Sequence, residues 1–520
     1  MKKFYTILIY LLTFSGLQAQ METAHWRFGF FGGLDFTSGS ASITSGNLHT
    51  NEGCATISDN CGNLLFYTDG KTIFSKDNSV MQNGNALLGD ASSTQSAIII
   101  PNPDNSNIYY IFTTYSLNGV HYSVVDMSLN GGLGSVLPGQ KNIQLPLSGA
   151  MKGSEKLTAV AKADNSGYWI ITHYLDSYYA FSVTAQGVNT TPVISQVGVN
   201  VPDKINNKFF YTYAIGQLKV SPEGNKIAAA HFTAVKEEDF HLFPINYFTP
   251  SCTMAFTYGG ILGLYDFDNE TGIVSNETIL NSLSNERRTY YGVEFSPDGK
   301  VLYSSYDVYN FADECGEDII AHRTNAVVDK YDLTSTSIPA SQSILFQNND
   351  PNKSLAGSLQ LALDGRIYHA MYSSLSYITN PNDYATSIFH LSGISLYQTT
   401  LGLPPFIASL FDPKILINGA FHIDTFCLGT EMEFSYEGCP ETIIGWDFGD
   451  GNTSSEITPT HTYANPGTYI VTLTFTAPGG QIETITIEIE IVPPPAVQNA
   501  ELKECLDLNG AEVEFDLTES

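Results

Sequence analysis

The chain has 520 residues, too many for one ordinary hydrophobic core, so two or more domains are expected. It carries 23 Lys and Arg against 53 Asp and Glu, a formal net charge of −30. So acidic a surface repels phosphate backbones, which argues against nucleic acid as a partner. The 30 Tyr, 30 Phe and 44 Gly combine strand-forming aromatics with turn formers, the mixture of an all-β protein.

The N-terminus reads as a targeting segment. Lys2 and Lys3 precede the apolar run "FYTILIYLLTF", and "LQA" at 17–19 places Ala19 at a cleavage position. A signal peptide over 1–19 leaves Gln20 as the first mature residue. The run is short for a membrane span and no other stretch approaches 18 apolar residues, so no transmembrane span is expected. No cysteine follows the cut to take a lipid anchor. The mature chain is expected to be secreted or at the cell surface, where cysteines oxidise. Its seven cysteines read as the pairs Cys54–Cys61, Cys427–Cys439 and Cys252–Cys315, with Cys505 left over. The sequence ends at "EVEFDLTES", inside what reads as the start of a further module.

From residue 54 one phrase recurs: an apolar strand, a polar turn with Asp or Asn and usually Gly, and a second apolar strand. It reads "CATISDNCGNLLFYTD" from 54, "AIIIPNPDNSNIYYIFTT" from 97 and "TAVAKADNSGYWIITHY" from 158. It returns as "GQLKVSPEGNKIAAAHF" from 216, "GVEFSPDGKVLYSSYD" from 292 and "GSLQLALDGRIYHAMY" from 357. A spacing of roughly 45–75 residues is that of propeller blades with loop insertions. Third strands follow, such as "ILGLYDFD" (261–268) and "AVVDKYDL" (326–333), then weaker fourths such as "GIVSNETIL" (272–280). A β-propeller of six or seven blades is therefore predicted over 20–423. "WRFGFFGGLDF" (26–36) and "LPPFIASLF" (403–411) fit no repeat and are expected to meet as a composite blade that closes the ring.

Two insertions interrupt consecutive repeats at the same position, after the second strand. They are 235–258, "VKEEDFHLFPINYFTPSCTMAFTY", and 308–324, "VYNFADECGEDIIAHRT". Long segments without regular structure are usually functional or disordered. Glu237, Glu238, Asp239, Phe240, Phe243, Tyr247 and Phe248 in the first, with Asp313, Glu314, Glu317 and Asp318 in the second, form the candidate binding surface. Cys252 and Cys315 lie in these two insertions and are expected to bridge them. His231 and His241 with Glu237, Glu238 and Asp239 match no standard metal-ligand spacing. "YDFDNETG" (265–272) reads as a turn. No hydrolase, zinc-protease or nucleotide-binding motif is present, so no cofactor is expected.

At about 424 the pattern changes to strict alternation, with Ile482, Ile485, Ile487, Ile489 and Ile491 set against Glu and Thr. "WDFGDG" at 446–451 contains Asp447-Phe448-Gly449, the magnesium-holding tripeptide of protein kinases, but no glycine loop, paired Lys or catalytic loop accompanies it. Trp446-Asp447-Phe448-Gly449-Asp450-Gly451, then His461-Thr462-Tyr463 and Pro466-Gly467-Thr468-Tyr469, resemble the PKD domain, an immunoglobulin-like β-sandwich. The resemblance covers 424–492 and implies that Trp446 and Phe448 plug a core, that Asp447 and Asp450 cap a turn, and that calcium at these acids is the less common alternative. "PPP" at 493–495 then reads as a stiff linker into the fragment that ends at 520.

The repeat region, with "EGCATISDNCGNLLFYTDGKTIFSKDNSVMQNG", "GSLQLALDGRIYHA" and "LGLPPF", resembles propellers of Bacteroidetes secreted proteins. In these a PKD domain and a C-terminal type IX sorting domain follow. The resemblance implies export through machinery that reads a domain absent here. The function expected is non-catalytic binding or adhesion to an extracellular glycan or protein. The alternative is a secreted propeller hydrolase or lyase with residues converging at the channel mouth. If the signal peptide is read correctly, mass spectrometry of the extracellular protein will find Gln20 at the N-terminus; an intact Met1 would refute cleavage.

Overall fold

In the computed structural model the six recurrent phrases are six antiparallel strand pairs. The structure describes residues 21–147, 153–201, 204–205, 208–209, 214–232, 260–281, 287–315, 318–396, 398–411, 415–417, 425–436, 443–476 and 482–493. The pairs are Ala55–Ser58 with Leu64–Thr68, Ala97–Asn102 with Asn105–Tyr115, and Thr158–Ala161 with Gly167–Tyr174. Next come Leu218–Val220 with Lys226–His231, Arg287–Phe295 with Val301–Cys315, and Leu359–Leu361 with Ile367–Met371. The turn chemistry is local. Asp59 Oδ1 accepts from the amides of Cys61 and Asn63, and Gly224, Gly299 and Gly365 take positive φ where a side chain would be strained.

Among the described residues, seven antiparallel sheets of three or more strands succeed one another: 25–49 (sheet 1), 55–75 (2), 97–144 (3), 158–195 (4), 218–279 (5), 287–348 (6) and 359–394 (7), with a two-stranded pair, Lys204–Ile205 and Lys208–Phe209, between 4 and 5. Each packs on the next. Ile57 and Phe66 meet Ile99 and Tyr109 between sheets 2 and 3, and Ile98 and Phe112 meet Leu157 and Ile170 between 3 and 4. Val160 and Ile171 meet Leu218 and Tyr265, then Ala228 and Leu262 meet Tyr290 and Leu302. One larger core joins Tyr303 and Val328 of sheet 6, Leu359 and Tyr368 of sheet 7, Trp26 and Phe28 of sheet 1, and Tyr67 of sheet 2. The distant ends of this region are stitched by backbone: Phe30 N donates to Gln398 O (2.7 Å) and Leu401 N to Asn51 O (3.2 Å).

Three expectations are corrected. Residues 26–36 and 403–411 do meet, with Trp26 and Phe406 ring centroids 6.0 Å apart, but they share no blade. The first forms two strands of sheet 1, completed by Ser42–His49. The second contains no strand. It ends in the 3-10 turn Ala408–Phe411 and distributes side chains to three cores: Phe406 and Phe411 to one, Ile407 and Leu410 to the next, Ala408 to a third. Ser409 Oγ also accepts from Ala161 N (3.1 Å), where an inner strand ends.

Residues 308–324 are not a loop either. Val301–Cys315 and Asp318–Asp332 pair continuously to Cys315↔Asp318. The flanking strands reach only Tyr309 (paired with Arg287) and Ala326 (paired with Asn348), so 310–322 leaves the sheet as a two-stranded ribbon. Pairing satisfies backbone groups that an irregular loop of this length would leave to water.

The Cys54–Cys61 bridge is overturned. Cys54 is a free, buried thiol in the core shared by sheets 1, 2, 6 and 7, and burial pushes its thiol well above the usual range. Strand Ala55–Ser58 separates it from the turn that carries Cys61. At about 3.3 Å per residue, four strand residues set the two cysteines far beyond the ~5.5 Å Cα separation of a disulfide. Cys61 forms its disulfide elsewhere.

The C-terminal described residues form two facing sheets. One holds Ile415–Ile417, Met432–Tyr436 and Thr460–His461. The other orders Thr425–Cys427, Ile482–Val492, Gly467–Thr476, Ile443–Asp447 and Thr453–Ser454. Between them lie Met432, Phe434, Trp446, Phe448, Tyr463, Leu473, Ile489 and Ile491. Ile485 and Ile487 border this core, but Ile482 is 68% exposed because its even position places it on the opposite strand face. Trp446 is 2% exposed and its core includes no residue of sheets 1–7. Trp446→Ala is therefore expected to cost roughly 3–5 kcal/mol in the sandwich's own unfolding transition, with the transition of sheets 1–7 unchanged in calorimetry. An unmoved sandwich transition would refute the core assignment.

Candidate functional site

The first strands of sheets 5, 6 and 7 each place one polar residue in an apolar run: "LKV", "VEF" and "LQL". Those residues, Lys219, Glu294 and Gln360, are buried and meet one another. Lys219 Nζ lies 2.7 Å from Glu294 Oε2 and also donates to Gln360 Oε1. Glu294 further accepts from the amides of Leu361 (3.1 Å) and Phe295 (3.0 Å). Burial lowers the Lys219 ammonium below its usual range against the opposing pull of Glu294.

Two glutamines repeat the device. Gln217 Oε1 accepts from Val293 N (3.2 Å) of sheet 6 and Leu359 N (2.8 Å) of sheet 7. Gln95 Oε1 accepts from Leu157 N (3.3 Å) and Leu218 N (2.8 Å), while its Nε2 donates to Leu218 O (3.1 Å). Side chains thus tie sheet 3 to sheet 5, and sheet 5 to sheet 7, across the inner edges. Sequence reading missed this set. The available signal was a charged or amide residue at the same point of three successive repeats.

Beside these ties, where first strands begin and second strands end, sits a titratable cluster. Thr94 N and Oγ1 both donate to Glu155 Oε2 (3.0 Å each), and Gly216 N donates to Thr94 Oγ1 (3.2 Å). Lys156 Nζ donates to the carbonyls of Ala214 (3.1 Å) and Ile215 (2.7 Å). Burial, then the Glu155 and Asp90 carboxylates, push Glu52 up to about 8. Burial also raises Glu155 despite its Thr94 bonds and lowers Lys156 to about 7 against Glu155. His173 and His231 meet edge to face, their ring centroids 5.0 Å apart. Burial, then Lys156, hold His173 down to about 3 and His231 well below its usual value, so both are neutral.

The expected binding residues Glu237, Glu238, Asp239, Phe240, Phe243, Tyr247, Phe248 and Glu317, with Cys252 and Cys439, lie outside the described residues. Asp313, Glu314, Cys315 and Asp318 are on the projecting ribbon, and Cys427 ends a sandwich strand. Because Ile261 pairs with His231, the 233–259 segment and the ribbon both follow second strands. The ribbon therefore leaves at the end of the sheets that holds the Glu52–Glu155 cluster.

The PKD-type residues converge as their resemblance implied. Asp447 Oδ1 accepts from Gly449 N (2.9 Å) and Asp450 Oδ1 from Asn452 N (3.0 Å), and Gly449 and Gly451 take positive φ. His461 Nε2 meets Asp450 Oδ2 at 2.9 Å and stacks on Phe448 at 4.2 Å. Tyr463 donates to Phe448 O (2.7 Å), and Tyr469, beyond the Pro466-Gly467 turn, packs on Tyr463 at 4.2 Å. Burial would raise Asp450, but its bonds to Asn452 and His461 outweigh that and hold it below the usual range. In the 265–272 segment Asp268 caps a turn, accepting from Glu270 N (3.0 Å) and Thr271 Oγ1 (2.6 Å). Among the described residues no group of three or more His, Cys, Asp or Glu is placed to hold a metal ion, and no helix is long and apolar enough to cross a membrane.

Residues 424–491 match the PKD domain family. Pre-pro-metalloprotease PrtV of Vibrio cholerae is 44% identical over 55 residues, which are 11% of this chain and 6% of PrtV, so the chain spans a small fraction of that relative. The crystal structure of the PKD1 domain of PrtV is 28% identical, covering 15% of this chain and 93% of that one at a TM-score of 0.12. A putative 6-phosphogluconolactonase from Bacteroides fragilis is similar at 14% identity, over 68% of this chain and 96% of that one, with a TM-score of 0.31.

The tie between sheets 5, 6 and 7 has a measurable weight. Lys219→Met strands the buried Glu294 carboxylate and should lower stability by roughly 3–5 kcal/mol in denaturant unfolding. Adding Glu294→Leu should return most of that loss. A single variant as stable as the parent would refute the tie.

Proposed function

We propose that this chain is an extracellular binding protein in which a propeller and a PKD sandwich display a surface to a glycan or protein ligand. The seven sheets, each packed on its neighbours, are read as a seven-bladed ring, with 20–423 as the propeller and 424–492 as the sandwich. Export follows signal-peptide cleavage, through machinery of the type IX kind that reads a further C-terminal domain. The PKD match to 424–491 supports the extracellular reading.

One observation carries the non-catalytic part. The charged groups nearest the ring axis spend their bonds on holding blades together. Lys219 is used by Glu294 and Gln360, Lys156 by two backbone carbonyls, and Glu155 by Thr94. A general acid or nucleophile needs a free reacting atom. The second reading, a secreted hydrolase or lyase, is favoured by Glu52 alone. Its carboxyl is raised to about 8, the condition in which a carboxylic acid donates a proton near neutral pH.

A glycan array and a hydrolase substrate panel, run on the same full-length preparation, separate the two. Binding without turnover is expected. Turnover of any panel substrate that is lost in Glu52→Gln would overturn the non-catalytic reading.

A further inference from the structure

Five buried polar side-chain atoms near the start of the inner strands have no hydrogen-bond partner: Glu52 Oε2, Ser93 Oγ, Ser96 Oγ, Tyr291 Oη and Ser358 Oγ. They belong to one neighbourhood assembled from four sheets. Gly53 is so close to the third that a Cβ on it would lie 2.2 Å from Ser96 N and 2.5 Å from Ser93 O. A Cβ on Gly402 would lie 1.8 Å from Glu52 O, and the adjacent Leu401 O accepts from Ser358 N (2.8 Å). Tyr291, 2% exposed, faces Glu52, Glu155 and Thr94, and its hydroxyl lies near enough to Glu52 and Thr94 to interact with both without a hydrogen bond of good geometry to either. Buried polar groups are ordinarily satisfied. A concentration of unsatisfied hydroxyl and carboxyl atoms behind the partly exposed Glu52 and the exposed Tyr372 makes a mouth arranged for polar atoms that come from outside.

We propose that this mouth is a subsite for a neutral polyhydroxylated ligand, such as the terminal sugar of a glycan, engaged by Glu52, Tyr291 and the serine hydroxyls. The proposal rests on the binding reading above and adds its place and chemistry. An anionic ligand would meet the Glu52, Asp90 and Glu155 carboxylates, against which the nearby cations are Lys71, already paired with Asp90 (3.9 Å), and Lys156, committed to the Ala214 and Ile215 carbonyls. Hydroxyls donate and accept, as do Ser, Tyr and a protonated carboxyl, so each group has a match in a sugar. Tyr372, 62% exposed and close enough to Glu52 to feel its charge, offers a ring on which the apolar face of a sugar can stack.

The proposal carries a pH signature. Asp90, Glu155, Tyr291 and Tyr372 surround Glu52, with Lys71 paired to Asp90 and Lys156 beside Glu155. Burial and the Glu155 and Asp90 charges keep its proton on until about pH 8. Protonated, Glu52 can donate to the ligand; ionised, it can only accept. Affinity should therefore hold at neutral pH and fall as pH rises through about 8.

The test uses the full-length chain against a panel of neutral and acidic mono- and oligosaccharides, by array and then calorimetry. At least one neutral sugar should bind. Glu52→Ala and the conservative Tyr291→Phe should each weaken it tenfold or more with an unchanged melting temperature. Glu52→Gln, which keeps a neutral donor and acceptor, should retain binding at pH 7 and lose its decline between pH 7 and 9. Undiminished glycan binding in both Glu52→Ala and Tyr291→Phe would place the site elsewhere and end this proposal while leaving the binding reading intact. Binding of acidic glycans or of a protein, with no neutral sugar bound, would likewise end it. No binding of any kind would count against both.

Discussion

The buried ammonium of Lys219 is the constraint on which the stacking of sheets 5, 6 and 7 depends. A charge removed from water costs several kcal/mol unless it is paired and its partners are themselves bonded. Here the partners come from other sheets: Glu294 from the next one and Gln360 from the one after. The pair cannot form unless three consecutive first strands lie side by side at the right height. Glu294 is in turn held by the Leu361 and Phe295 amides, so its position is over-determined. Apolar packing between sheets tolerates sliding; a buried ion pair with fixed amide donors does not. Gln95 and Gln217 impose the same discipline on sheets 3 to 7.

The two ends of this inner region differ in kind. At one end 403–411 sends Phe406, Ile407, Ala408 and Phe411 into three separate hydrophobic cores. That end is sealed by area removed from water. At the other end, around the starts of the inner strands, lie Glu52, Thr94, Glu155, Lys156 and Tyr291, and the 310–322 ribbon leaves from the same side. Polar atoms left unsatisfied and the projecting ribbon therefore share one face.

The sandwich shows how environment decides what a motif means. Asp447-Phe448-Gly449 has the composition of a magnesium-holding tripeptide, yet Asp447 spends its Oδ1 on the Gly449 amide two residues on, and Phe448 lies under His461 in the core. Asp450 is divided between the Asn452 amide and the His461 ring. These carboxylates are occupied by the turn they build.

What sequence alone determined was local. Alternating apolar residues, Asp-Gly turns and the spacing of repeats identified six hairpins and a sandwich, because a strand pair and its turn are specified within about 20 residues. The core roles of Trp446 and Phe448 and the capping roles of Asp447 and Asp450 belong to the same class. Tertiary structure decided whatever joins distant residues. Cys54 and Cys61 are near in sequence, but an intervening strand drives them apart. Residues 308–324 lacked turn punctuation and looked like a loop, but the two halves pair once a sheet holds their bases in register. Lys219 meets Gln360 across 141 residues and Gln95 meets Leu218 across 123, and Tyr291 faces Glu52 from another sheet. Such neighbours appear in no local pattern, because they become neighbours only when successive sheets, each locally specified, pack on one another.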